Sequence, residues 1–322
     1  MNIMVLGGSG MFGRKTILHM LEDKEIENVV SMDIAPPPDW ALKQYEPWKD
    51  RFHFARGTVA ELEDILNAAK VCKIDGIVNW AFVMSLQELS SNPRLSTKVN
   101  MLGMCNAFEA ARLVDANRVV YASSMTVYGP SDLYGDEVGE DVLLSPNSSY
   151  AVAKVFAEII AAQYHEKYGI NFTGVRPTIG YGHGGKSPAQ MWSDMPSMAA
   201  VGKPYKMEFN GDMSMSLVTA DDLAIFTTSL MKAKSSPRPV YNVGTPLINF
   251  RDLAATVKKY LPDAVIEFGD KPSPFGAGRK PLNISSKAAK EDFGFECMSL
   301  DEGVKIHIND ARLEAGLEPI KF

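Results

Sequence analysis

With 322 residues, a hydrophobic fraction of 46% and a charged fraction of 22%, the chain has the make-up of a globular protein with one full core and room for a second lobe, which excludes a disordered or fibrous chain. Its net charge of −6 offers no basic footprint for nucleic acid. Three scattered cysteines (Cys72, Cys105, Cys297) and five scattered histidines make neither a disulfide framework nor a metal site, and no stretch reads as a signal peptide or as the roughly 18 apolar residues that span a bilayer.

Apolar runs and amphipathic stretches alternate from the start: NIMVLG, RKTILHMLED, NVVSMDI, VAELEDILNAAK, IDGIVNWAF, NMLGMCNAFEAARLVDA, RVVYASS, SYAVAKVFAEIIAAQYHEKYG and NFTGVRP. Continuous apolar strands separated by helices predict a parallel sheet covered on both faces. Five or six such strands by Val175 predict a doubly wound α/β (Rossmann) sheet. Past Arg176 the alternation breaks at GYGHGGKSP. Residues 177–322 are therefore expected to form a smaller C-terminal α/β substrate lobe on a sheet domain of residues 1–176, to which 217–245 return.

The stretch VLGGSGMFG places glycines where the first helix must begin. In a strand-to-helix turn, Gly7 permits the turn, Gly10 admits close approach of a pyrophosphate and Gly13 lets the helix pack on the strand, with unpaired N–H groups aimed at the anion. A tight structural turn would use the same residues. Asp33, however, ends the second apolar strand twenty residues beyond Gly13, where a carboxylate accepts from adenosine ribose hydroxyls. It also disfavours NADP: a carboxylate and a phosphate about 4 Å apart repel by up to ~4 kcal/mol at an intermediate dielectric. NAD is the expected cofactor.

Tyr150 and Lys154 lie four residues apart on one helix face, and Ser124 ends a strand at the carboxyl edge of the sheet. A tyrosine of ordinary pKa, about 10, needs a nearby cation to act as a base at neutral pH. Lys154 can supply it.

With these residues in order, the chain resembles the extended short-chain dehydrogenases/reductases, the NAD-dependent epimerase/dehydratase family. The likeness extends over VLGGSGMFG, Asp33, YASSMTVYG, SYAVAK, VRPTIGYG, LVTADDLA, YNVG and ISSKAAKEDFGF. It implies that Ser124 positions the reacting group, Tyr150 exchanges the proton, and Lys154 binds nicotinamide ribose and lowers the tyrosine pKa. It further implies that Met11 and Phe12 approach the pyrophosphate, Val59 lies by the adenine, Ala81, Phe82 and Val83 line the cofactor, Asn100 stands on the cofactor side and Pro177 lies near the nicotinamide. A homodimer through residues 92–113 and 150–168 is implied as well. Two features depart from the family pattern: Thr58 replaces an aspartate beside the adenine, and WAFVM replaces a leucine-alanine-alanine run.

Family dehydratases carry an Asp-Glu pair after the catalytic Ser/Thr, where this chain has Met125 and Thr126. Nucleotide-sugar epimerases hold diphosphate with arginines at positions that fall here on Met215 and near Ser273, although Arg279 and Lys186 stand in nearby glycine-rich segments. Met84, Met125, Met191, Trp192 and Met215 are expected to face the substrate, with Ser124 and Tyr150, and methionine suits irregular apolar shapes. Met191, Met195 and Met198 at helical spacing would equally make a core stripe. The expected function is a cytoplasmic NAD-dependent dehydrogenase acting on a small, partly apolar or aromatic substrate, with no nucleic-acid or membrane partner and no metal. An epimerase with internally recycled NAD and a non-catalytic NAD-binding protein are the alternatives.

Overall fold

A computed structural model describes residues 1–84, 91–185, 189–272 and 281–322. Seven parallel strands form the main sheet: β1 (Asn2–Leu6), β2 (Asn28–Asp33), β3 (Phe52–Arg56), β4 (Gly76–Asn79), β5 (Arg118–Ala122), β6 (Asn171–Pro177) and, much later in the chain, β10 (Val240–Val243). Their order is β10-β6-β5-β4-β1-β2-β3. The chain runs outward from β1 through β2 to β3 and then, from β4, outward the other way. Between β1 and β4 lies the switch point where doubly wound sheets open a crevice.

Burial explains the run-like strands, because Ile3, Met4, Val5 and Leu6 are all inaccessible and helices cover both faces. On one face, α1 (Met11–Glu22) buries Ile17, Met20 and Leu21 beside Leu223, Phe226 and Leu230 of α8 (Ala220–Lys232). On the other, Ile65 of α3 (Leu62–Ala68), Met104 and Phe108 of α5 (Gly103–Leu113) and Ala157 and Ala161 of α6 (Ser149–Tyr168) share a core with Met4 and Leu6. The short helix α2 (Asp39–Tyr45) buries Tyr45 in the same core as α1, and α4 (Pro93–Thr97) follows as a second short helix.

The second lobe holds β7 (Ile179–Tyr181), β9 (Ser214–Thr219) and β11 (Leu247–Asn249) in one sheet and β8 (Tyr205–Phe209) with β12 (Ile266–Lys271) in another. Its core is packed by α7 (Met191–Ala200), α9 (Phe250–Tyr260) and α11 (Leu300–Glu314), while α10 (Lys287–Phe293) lies on the main sheet. A half-buried lysine joins the lobes: Lys15 of α1 reaches Asp310 of α11 at 2.7 Å and Asp221 of α8 at 3.4 Å. The helix that follows the glycine turn is thereby fixed to the lobe that faces it. No helix among the described residues is long and apolar enough to cross a membrane.

Candidate active site

The site is built at the carboxyl edge of the main sheet. Gly7, the residue after β1, has φ +76°, and a Cβ there would sit 2.6 Å from the Ala81 nitrogen. A Cβ on Gly13 would run into the Gly7 carbonyl oxygen. Gly10 is the N-cap of α1; no side chain caps that end and its first turn carries no acid. The first amides of a twelve-residue helix are thus left for an anion. At the end of β2, Asp33 accepts from the Ser9 N–H at 3.0 Å and the Ile34 N–H at 2.7 Å. Burial raises its pKa while those amides oppose the rise. Each oxygen keeps a lone pair for a ribose hydroxyl.

Beside β1, the segment after β4 is held by two asparagines. Asn79 accepts from the Ala81 N–H at 3.0 Å. Asn100, buried in the π-helical turn Lys98–Leu102, accepts from the Val83 N–H at 2.8 Å and donates to the Val83 carbonyl at 3.0 Å. Its amide clamps the loop that carries Ala81, Phe82, Val83 and Met84. Val59 is buried against Gly103 with its carbonyl taken by Asn106, and the neighbouring Thr58 amide is taken by Asp64. Met11 points toward Gly182 and Gly185, and the Phe12 ring lies edge-on to Trp80 at 5.5 Å and against Gly180. Both side chains therefore face the second lobe, leaving their backbone at the open helix end. Pro177 ends β6, buried beside Val243.

Tyr150 stands in the first turn of α6, whose N-cap Ser148 accepts from the Ala151 N–H. Its hydroxyl is turned toward Ser124, whose hydroxyl favours the phenolate, while burial outweighs that and lifts the pKa to about 12. Ser124 in turn accepts from the Thr126 N–H at 3.2 Å and the Thr126 hydroxyl at 3.1 Å. One turn along, the fully buried Lys154 donates to the Ala122 carbonyl at 2.8 Å, and its ammonium lies 3.1 Å from the centroid of the Phe82 ring and 5.3 Å from that of Tyr150. Burial pushes the lysine well below its ordinary pKa and the charge of Glu158 pushes it back. A phenol, a hydroxyl and an ammonium thus converge at one strand end, the set needed to move a proton to or from a substrate oxygen.

The model of the NAD dependent epimerase/dehydratase family matches residues 3–244 of the chain. The chain belongs to that family. It is 26% identical over 252 residues to the UDP-glucose 4-epimerase of Mycolicibacterium smegmatis, covering 76% of this chain and 77% of the relative. Among solved structures, it is similar to the Thermus thermophilus UDP-glucose 4-epimerase in complex with NAD (TM-score 0.81, 21% identity, 97% of this chain and 99% of that one). A partial-consensus L-threonine 3-dehydrogenase is equally similar (TM-score 0.81, 21% identity, 98% and 100%). These structural likenesses establish the extended short-chain fold. The family enzyme works with NAD, and the uncapped helix end, the two glycines that a Cβ would crowd and the half-buried Asp33 fit that cofactor.

The family enzyme's substrate side departs from the sequence expectation at one point. Trp192 is fully buried with its ring 4.6 Å from Phe250, so it is core of the second lobe and not a cleft residue. An indole on a helix that also carries Met195 can fill a lobe interior as readily as a cleft, and the helix has turned it inward. Met195 is likewise inaccessible, and Met191, Met198 and Met215 are half-buried against the same core. Met84 and Met125 remain half-buried at the strand ends. Ser273, Arg279 and Lys186 lie outside the described residues.

Three residues of the site went unread in the sequence. Thr126 supplies the hydroxyl behind Ser124. Glu158 accepts two bonds from Arg176, both 2.8 Å, and one from Ser123 at 2.5 Å. Arg176 also donates to the Tyr128 hydroxyl at 2.9 Å. The spacing of Tyr150, Lys154 and Glu158, four and four, was a signal available for the glutamate.

Proposed function

We propose that the enzyme interconverts an alcohol and a carbonyl on a small, partly apolar or aromatic substrate. Ser124 holds the reacting oxygen, Tyr150 exchanges its proton, and Lys154 supplies the positive charge that favours the phenolate and binds the nicotinamide ribose. NAD, when bound, supplies the two-electron acceptor. The observation that carries the substrate class is the polarity of the facing wall. On β6, β9, β11 and the first turn of α9 the cations among the described residues are Arg176 and Arg251, already paired with Glu158 and Asp212, while Met215 takes an expected anchor position. A diphosphate would lose charge-assisted bonds of roughly 1.5–3 kcal/mol each. Dehydration is disfavoured because Met125 has no proton to exchange and the Thr126 hydroxyl is given to Ser124.

Epimerisation with recycled NAD is the second reading, favoured by the epimerase relative and structure above. Calorimetry with UDP, dTDP, GDP and their sugar conjugates in the presence of NAD separates the two. No binding at micromolar concentration is expected; micromolar binding abolished by Arg279→Ala would replace the dehydrogenase with the epimerase. Tyr150 beside Ser124, with Lys154 one helical turn along, speaks against an NAD-binding protein without turnover.

Residues 1–176 with 217–245 are assigned to the NAD-binding domain, on whose sheet α10 also packs, and the remainder of 177–322 to the substrate lobe. The three cysteines are free thiols, in keeping with the cytoplasm. A homodimer is supported by an apolar stripe: Leu95 and Leu102 are 40% and 47% exposed, and Val152 and Ile159 of α6 are 46% and 53% exposed. Val152 and Ile159, seven residues apart on one α-helix, have the spacing of a helix–helix seam. Sedimentation is expected to show a dimer at micromolar concentration, and a monomer there would contradict the seam.

A further inference from the structure

Phe82 lies in the WAFVM stretch that departs from the family's leucine-alanine-alanine run, and its ring touches both members of the Tyr–Lys pair. The ring face covers the Lys154 ammonium at 3.1 Å, and the ring meets Tyr150 edge-on at 5.4 Å with a 79° interplanar angle. We propose that Phe82 is a positioning residue of this site: its face holds the Lys154 ammonium and its edge sets the Tyr150 ring, so that the pair is ordered before any ligand enters. The inference rests on the Tyr150–Lys154 reading above.

The surroundings of the ammonium give the ring its task. A buried cation needs compensation on every side. On α6 the lysine is faced by Tyr150 and by Glu158, whose two oxygens are both engaged by Arg176 of β6. From the end of β5 comes the Ala122 carbonyl, which accepts a hydrogen bond from the lysine at 2.8 Å. The loop after β4 brings no charge at residues 80–84, so on that side compensation comes from the negative face of an aromatic ring, an interaction that strengthens when water is excluded. The loop can hold the ring there because Asn100 clamps Val83, the next residue, through both backbone groups.

Three variants separate this role from packing. Phe82→Tyr keeps the ring, Phe82→Leu keeps apolar bulk without the π face, and Phe82→Ala removes both but lets water hydrate the ammonium. NAD affinity of the full chain, without substrate, is measured by calorimetry from about pH 6 to pH 10, with thermal melting as the check on folding. Lys154 binds ribose as the ammonium, so affinity is retained below its pKa and lost as pH rises through it. The alkaline loss is expected to begin about one pH unit lower in Phe82→Leu, giving roughly ten-fold weaker binding on that limb. Phe82→Tyr should follow the wild type, and Phe82→Ala should fall between. A leucine variant that matches the wild type while alanine is worst reduces Phe82 to packing and overturns the inference. If Lys154→Met also leaves NAD affinity unchanged, the site reading itself fails; if it weakens binding while Phe82→Leu does not, only the role of Phe82 falls.

Discussion

Tyr150→Phe is expected to lower turnover by about 10²–10⁴ while leaving NAD affinity nearly intact. Phenylalanine keeps the ring that meets Phe82 edge-on and the helix that carries it, but removes the hydroxyl turned toward Ser124. Lys154→Met should damage both binding and turnover, because one ammonium is assigned to ribose and to the tyrosine. Single-turnover kinetics beside calorimetry measures the two effects separately. Near-normal turnover in the phenylalanine variant would move the proton transfer to another group.

The second large effect is on stability. Glu158 and Arg176 form a buried pair, with side chains 11% and 4% exposed and two parallel 2.8 Å bonds. Glu158→Ala leaves the guanidinium uncompensated in the interior, for which a loss of about 3–5 kcal/mol is expected. Against a typical total of about 5–15 kcal/mol that is a large share. Urea unfolding of both proteins measures it. A loss below about 1 kcal/mol would mean that water or the Tyr128 hydroxyl compensates the arginine. Because Glu158 also faces Lys154, the variant should lose NAD affinity at alkaline pH sooner than the wild type.

The sheet and the glycine turn were legible because their signals are local: continuous apolar strands, glycines at a strand end, and two side chains one helical turn apart. What joins distant segments was not. Glu158 could be placed on the face of Lys154 by spacing, but its partner comes from β6 and its third bond from Ser123, and a single sequence gives no sign of that meeting. Asn100 shows the same limit. The resemblance put it on the cofactor side, whereas its amide is used on the Val83 backbone seventeen residues away. Trp192 failed for a different reason, since amphipathic spacing on α7 does not say whether the apolar face meets a cleft or a core. Phe82 was legible as a departure from the family run, but its placement over Lys154 depends on the folded loop.

The central claim is net oxidation of an alcohol, and the most direct test is the absorbance of NADH formed from NAD with a panel of small aliphatic and aromatic alcohols. Accumulation of NADH with at least one of them, lost in Tyr150→Phe, is the predicted result. Interconversion of a nucleotide-sugar pair with no accumulation of NADH would contradict it.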